Sequence, residues 1–222
     1  MILALANLST STARNILTWS RRLKIRISVK PPETVRKVIV IGNGTPDDIV
    51  TLVLAHHVDG REMATILKPQ KLRVESITSI VELLLYAPRI NKILLIIDQE
   101  EDELTNIRLK IRRKLELNGV KIKEERSNRR LLTYKCEKIR LFNLLVAVNG
   151  LDKPYEIHTI EDHLLEVAKD FVKTRIVNPK KTWNEIKEYH EEIIRRVRDD
   201  RDLAYSLFPQ QIKALEMLCE DI

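Results

Sequence analysis

Glycine and proline are scarce in this chain, 5 and 8 of 222 residues, which excludes collagen-like and low-complexity structure. Cysteine is scarcer still. Cys136 and Cys219 stand far apart with no CxxC and no His-rich segment beside them, so neither a zinc ribbon nor a disulfide framework is signalled, and a reducing cytoplasm is the expected setting. No run reaches the roughly 20 apolar residues of a bilayer span, so no membrane association is expected. The opening Met1-Ile2-Leu3-Ala4-Leu5-Ala6 is too short for a secretory h-region and has no basic flank before it. Aromatic residues make up only 5%, which leaves Trp19 and Tyr134 as the stacking platforms near basic segments. GxxxxGK[ST], HExxH, GxSxG and the kinase motifs are all absent, removing P-loop, zincin, α/β-hydrolase and kinase chemistry.

Charge is what the chain has in abundance. Charged residues are 32% and Lys plus Arg exceed Asp plus Glu by 39 to 32, a net +7 that favours anionic partners such as DNA or RNA. A composition rich in Lys, Arg and Glu and poor in Gly is also the one expected of a thermophile.

Apolar patterning divides the chain. Leu23, Ile25, Ile27 and Val29 alternate with Lys24, Arg26, Ser28 and Lys30, which predicts a charged, edge-like strand before Pro31-Pro32. Val38–Ile41 and Ile93–Ile97 are uninterrupted apolar runs of the kind buried on both faces of a parallel sheet, and they should lie side by side. After the first, Thr45 as N-cap and Pro46 at the first helical position predict a helix to His57, with Asp47 and Asp48 in its first turn. Met63–Leu67 reads as a short strand, and Val74, Ile77, Val81, Leu84 and Leu85 as a helical face. Leu104, Ile107, Ile111 and Leu115 mark a second such face, stopped at Asn118-Gly119. A hairpin around Ser127-Asn128, a strand over 141–148 and a helical tail from Thr159, interrupted at Pro179 and Pro209, complete the reading. The alternation predicts an α/β, three-layer Rossmann-like fold with a mostly parallel sheet: an N-terminal extension over 1–34, a core over 35–150 and a helical C-terminal region over 151–222.

In such a sheet ligands bind beyond the carboxyl ends of the strands, so the residues after Ile41 and Ile97 carry the functional expectation. Gly42-Asn43-Gly44 lacks the third glycine of a dinucleotide fingerprint, since Asp47 stands there, and two aspartates would repel a pyrophosphate. Asp98 and Glu100, two apart at a strand end, can share a hard divalent cation such as Mg²⁺. Glu101, Asp102 and Glu103 are explained as first-turn acids complementing a helix dipole.

These segments carry a resemblance. Asn43-Gly44-Thr45-Pro46-Asp47-Asp48 after one strand, and Leu94-Leu95-Ile96-Ile97-Asp98-Gln99-Glu100 at the end of another, resemble a Toprim domain, the fold of primases, topoisomerases, OLD-type nucleases and recombination proteins. Ile157-His158-Thr159-Ile160-Glu161-Asp162-His163-Leu164-Leu165 is similar to the late Gly…Glu-Asp segment of small Toprim-like proteins, and Leu207-Phe208-Pro209 to the start of their last helix. The resemblance spans roughly 35–222. It implies Mg²⁺-dependent phosphodiester cleavage with Asp98 and Glu100 as metal ligands, joined by Asp47 and Glu161, and with Asn43 where the family has a catalytic glutamate. Asn43 can offer a carbonyl oxygen to a metal but takes no proton at neutral pH. Asp47 or Asp48 can substitute from the helix, although neither holds the glutamate's place.

Basic segments supply the binding expectation. Residues 104–140 carry 13 Lys and Arg against 4 Asp and Glu, and residues 1–39 carry 8 against 1. Arg108, Arg112, Arg129, Arg130, Lys24 and Arg26 are the candidate nucleic-acid contacts. His56 and His57 read as C-terminal complements of a helix dipole; His158 and His163, around Glu161 and Asp162, read equally as metal ligands or as neighbours of a capping box begun by Thr159. Two further readings stay open: a non-catalytic nucleic-acid-binding module of the same fold, and a small-nucleotide sensor floored by residues 42–46, which looks somewhat like CRISPR-associated Rossmann sensor domains.

Overall fold

The computed structural model describes residues 1–69, 71–172 and 175–220. The chain begins with β1 (Ile2–Leu5), α1 (Ser11–Leu23) and the two-residue β2 (Ile27–Ser28). Then β3 (Lys37–Ile41), α2 (Asp47–His57), β4 (Met63–Leu67), α3 (Ser76–Tyr86), β5 (Lys92–Asp98) and α4 (Leu104–Leu117) alternate. A three-stranded run, β6 (Lys121–Asn128), β7 (Leu131–Glu137) and β8 (Leu141–Asn149), precedes α5 (Ile160–Val167), α6 (Pro179–Glu185), α7 (His190–Asp199), α8 (Arg201–Leu207) and α9 (Pro209–Cys219). Among the described residues the strands form one sheet in the order β2-β1-β4-β3-β5-β8-β7-β6, parallel from β2 to β8 and antiparallel beyond.

The two apolar runs lie adjacent and parallel, with Val38 opposite Ile93 and Ile41 opposite Ile96. Alternation of side chains across the pleat then sorts them into two cores. Ile39, Ile41, Leu94 and Ile96 pack with α1, α2, α5, α7 and α9, whereas Val38, Val40, Ile93, Leu95 and Ile97 pack with α3 and α4. Each such fully buried side chain stabilises the fold by about 1.5–3 kcal/mol, so a charge at Ile39 or Leu95 would break the central layer. The result is an α/β three-layer, Rossmann-like fold.

Four local expectations are corrected. Leu23–Val29 is not a strand: Thr10 caps α1 by accepting from the Ala13 amide at 3.1 Å, and Ala13, Ile16, Ser20 and Leu23 form the buried face. Lys24 ends that helix in the left-handed conformation, φ 54°, so the alternation straddled a helix end and a very short strand. Residues 1–34 thereby supply β1 and β2 to the sheet and α1 to its core. Thr45 is not the cap of α2; Pro46 holds that position, and the Thr45 hydroxyl accepts from Asn15 Nδ2 at 2.9 Å. The β6–β7 turn falls at Arg129-Arg130 rather than Ser127-Asn128, because Asn128 pairs with Leu131. Pro179 and Pro209 start α6 and α9 at the position where a missing N–H costs nothing, rather than merely interrupting a helix. Residues 173–174 and 221–222 of the helical tail lie outside the described residues.

Candidate active site

Three strand ends and two helix starts meet at the carboxyl edge of the sheet. Asp98 ends β5, directly opposite Asn149 at the end of β8, and Asn43 stands two residues past Ile41 as Asp98 stands two past Ile96. Gly42 permits the chain to leave β3 here: a Cβ would lie 2.5 Å from Ile97 Cγ2 and 2.9 Å from the Ile96 carbonyl. Beyond β5, Glu100 adopts φ 58° and exchanges two backbone hydrogen bonds with His158, 2.8 and 2.9 Å. That bridge sets the start of α5 against β5, so that the Ile160 amide donates to Asp98 Oδ1 at 3.1 Å.

Asp47, Asp98 and Glu161, from α2, β5 and α5, are all buried. Asn149 Nδ2 donates to Asp47 at 2.8 Å and to Asp98 at 3.1 Å, and its own carbonyl oxygen accepts from Gln211 Nε2 of α9 at 2.9 Å. Asn149 is thus a buried clamp between two carboxylates, oriented by the last helix. Burial raises the proton affinity of Asp47 well above the ordinary range, with Asp98 and Glu161 adding repulsion. Burial and then Glu161 push Asp98 up to about 7, and burial raises Glu161 as well. Asp48 points away to Asn15, at 3.2 Å, and burial raises it to about 6.

The cations that reach this cluster are at its rim. Lys180 Nζ lies 2.7 Å from Glu100 and 3.8 Å from Asp98, and Arg73 reaches Glu100 at 2.8 Å. Glu161 Oε2, in the cluster, and Asn43 Nδ2, in the loop after β3, are buried without a hydrogen-bond partner. Of the four residues expected to hold a metal, Asp47 and Asp98 share the Asn149 amide, Glu161 is buried near both, and Glu100 pairs with Lys180 at the mouth. The donor set is all oxygen, the chemistry that suits Mg²⁺. As the side chains stand, no group of three or more His, Cys, Asp or Glu among the described residues is spaced to hold a metal ion.

The flanking histidines fall to structure. His163 is fully buried; its Nε2 accepts from the Gly150 amide at 3.2 Å and its Nδ1 meets the Leu207 carbonyl at 2.6 Å, so both ring nitrogens are used. Burial pushes it down to about 4, the behaviour of a neutral core imidazole. Asp162 completes the capping box with Thr159, its Oδ1 3.1 Å from the Thr159 amide, and meets His158 Nδ1 at 3.3 Å. Gly150, at φ 126°, faces His158 Cβ so closely, at 2.6 Å from a Cβ built there, that only glycine fits.

The basic candidates are not brought together. Lys24 and Arg26 lie by β2, at one edge of the sheet; Arg108 and Arg112 lie on α4 and Arg129 at the hairpin tip, toward the other edge. Arg108 pairs with Glu125 and Arg112 with Glu116 at 3.1 Å. Arg130 is buried and bound to Gln99 and to Asp152, 2.6 Å away, while Arg129 is exposed at φ 51°. Tyr134 is buried too, and offers no platform.

Asn149, Gln211 and Lys180 were missed from sequence. Asn149 had a signal, since it ends an apolar strand as Asp98 does. Gln211 and Lys180 had none, because they reach the site from helices more than a hundred residues after β3.

The molecule is thus a three-layer α/β protein with a buried carboxylate cluster at the carboxyl end of its parallel strands. Family models, curated proteins and solved structures contain no match to the chain. Among the described residues no helix is long and apolar enough to cross a membrane.

Proposed function

We propose that this is a Toprim-like protein that acts on nucleic acid, cleaving phosphodiesters with Mg²⁺ held by Asp98 together with Glu161, Asp47 and Glu100. The observation that carries this reading is the convergence of Asp47, Asp98 and Glu161, buried, mutually repelling and reached only at the rim by an ammonium. Three acids brought together with a single ammonium at their rim are stabilised by a divalent cation, and Mg²⁺ needs only one or two carboxylates because it keeps several waters. The unpartnered Glu161 oxygen suits the same role. When bound, the metal supplies a Lewis acid toward a phosphoryl oxygen. Asn149 and Gln211 hold two of the carboxylates in place, and Lys180 offers a positive charge to a phosphate approaching the mouth.

A second reading, a nucleic-acid-binding module without catalysis, draws on the ion pairs of Lys180 with Glu100 and Asp98, a tethered cation where a metal would otherwise serve. Titration with Mn²⁺, read by calorimetry and by melting temperature, separates the two. The catalytic reading expects saturable binding, cleavage of DNA or RNA only with metal, and a loss of at least about 100-fold in Asp98→Asn. Asn43→Glu restores a carboxylate at the strand end and should tighten Mn²⁺ by roughly tenfold. No metal binding and no cleavage, in either the native chain or Asn43→Glu, would overturn it.

A further inference from the structure

Beside the carboxylate cluster lies a cavity of about 400 Å³, within the range of small-ligand sites. Trp19, Trp183, His190, Thr45, Glu161 and Lys180 line it. The chain has two tryptophans, and both are here. They come from α1 and α6, which the fold brings onto one face of the sheet. Trp183 is buried and stacked on His190, ring centroids 3.7 Å apart and planes within 7°, so this wall is a rigid aromatic surface. Trp19 is half-buried, with the Arg22 guanidinium over one face of its ring, 5.6 Å from the centroid.

The cavity is continuous with the proposed metal site through shared residues. Glu161 belongs to both, and Lys180, on the cavity wall, touches Asp98 and Glu100. An aromatic wall, one ammonium and a carboxylate cluster in sequence match the parts of a nucleotide: a planar base, then a phosphate, then the site of its chemistry. Base stacking on aromatic side chains is tolerant of sequence because every base has a π-face. A duplex keeps its bases stacked on one another, and an unpaired nucleotide does not.

We propose that this cavity binds one unpaired nucleotide, its base against Trp19 and the Trp183–His190 stack and its phosphate at Lys180, so that single strands are the preferred substrate. The inference deepens the proposed function and rests on it for the chemistry, though not for the binding. The ligand can come as a residue of a strand or as a free mononucleotide, and the two are told apart below.

Because both tryptophans line the cavity, intrinsic fluorescence reads it directly. The full chain would be titrated in EDTA with a single-stranded dodecamer, the same sequence as duplex, and a nucleoside monophosphate. Saturable quenching by the single strand and little by the duplex is expected, with affinity falling about tenfold or more in Trp19→Ala. Trp19 is only half-buried, so this variant should keep its fold, checked by circular dichroism; Lys180→Met, which leaves both indoles in place, should weaken binding as well. Quenching by the monophosphate as tight as by the strand would assign the site to a free nucleotide, which upholds the cavity and removes the strand preference. No quenching by any of the three, or equal binding by duplex and single strand, overturns the inference. Quenching without metal-dependent cleavage would sink the proposed function alone, and cleavage without quenching this inference alone.

Discussion

The two ends of the central strands bury like charges in opposite ways. At the amino end Lys37 of β3 lies opposite Lys92 of β5, both buried. Lys37 donates to Glu62 at 2.8 Å and to the Cys219 carbonyl at 3.0 Å; Lys92 donates to the carbonyls of Met217, at 3.0 Å, and Glu220. Those carbonyls close α9, where the negative end of the helix dipole favours cations. Two ammoniums stand together there because every contact named is with an acceptor. At the carboxyl end Asp47 and Asp98 share a single Asn149 amide, and Glu161, buried beside them, leaves one carboxylate oxygen unpartnered. Satisfied buried charge reads as structure, and unsatisfied buried charge of one sign reads as a place prepared for a ligand.

The widest separation of the two ends should come from pH. Asp98 binds its proton in the fold up to about 7, against 3.8 when free, so the native state holds that proton more tightly than the unfolded chain. Its contribution is full below about 4 and is lost as pH rises through about 7, a decline on the order of 2–4 kcal/mol without metal. His163 acts in the opposite sense, its contribution present above about 6.5 and lost as pH falls through about 4. Urea unfolding of native and Asp98→Asn protein at pH 5 and 8, in EDTA, checks this: the variant should show a smaller decline, the remainder belonging to Asp47, Asp48 and Glu161, which burial also raises. An unchanged decline would remove the contrast between the ends.

At the amino end, Lys92→Met should destabilise by about 2–3 kcal/mol, since charge-assisted bonds to the end of α9 are lost, with Mn²⁺ affinity untouched. Chemical denaturation and calorimetry measure the two quantities, and a changed metal affinity would show the ends to be coupled through β5. The smallest effect belongs to neither end. Arg112→Glu breaks an exposed pair with Glu116 and should cost no more than about 0.5 kcal/mol by the same denaturation.

The layout of the sheet was legible in sequence because it depends on local pattern. Val38–Ile41 and Ile93–Ile97 are apolar without interruption, as strands covered on both faces must be, and their carboxyl ends point to Asn43 and Asp98. Glu161 entered as an expectation only through a resemblance, and the structure buries it within electrostatic reach of Asp47 and Asp98. The strand read over Leu23–Val29 shows where pattern fails: a helix end and a two-residue strand together mimic alternation, and only the Thr10 cap and the packing of Ile16 and Leu23 decide between them.

What the tertiary structure alone decided is the company these residues keep. Asp47, a first-turn acid of α2 that was named as a metal ligand only through the resemblance, is tied to Asp98 because β8 sets Asn149 between them. The candidate arginines and lysine of the two basic segments, counted together as nucleic-acid contacts, lie toward the two edges of the sheet, with several of their charges paired. Trp19 and Trp183 have no relation in the sequence and line one cavity in the fold. Periodicity is a property of neighbours along the chain, read over a few turns or strands; proximity between α1, α2, β5, α5 and α6 is fixed by which faces of the sheet must be covered, and no local pattern records it.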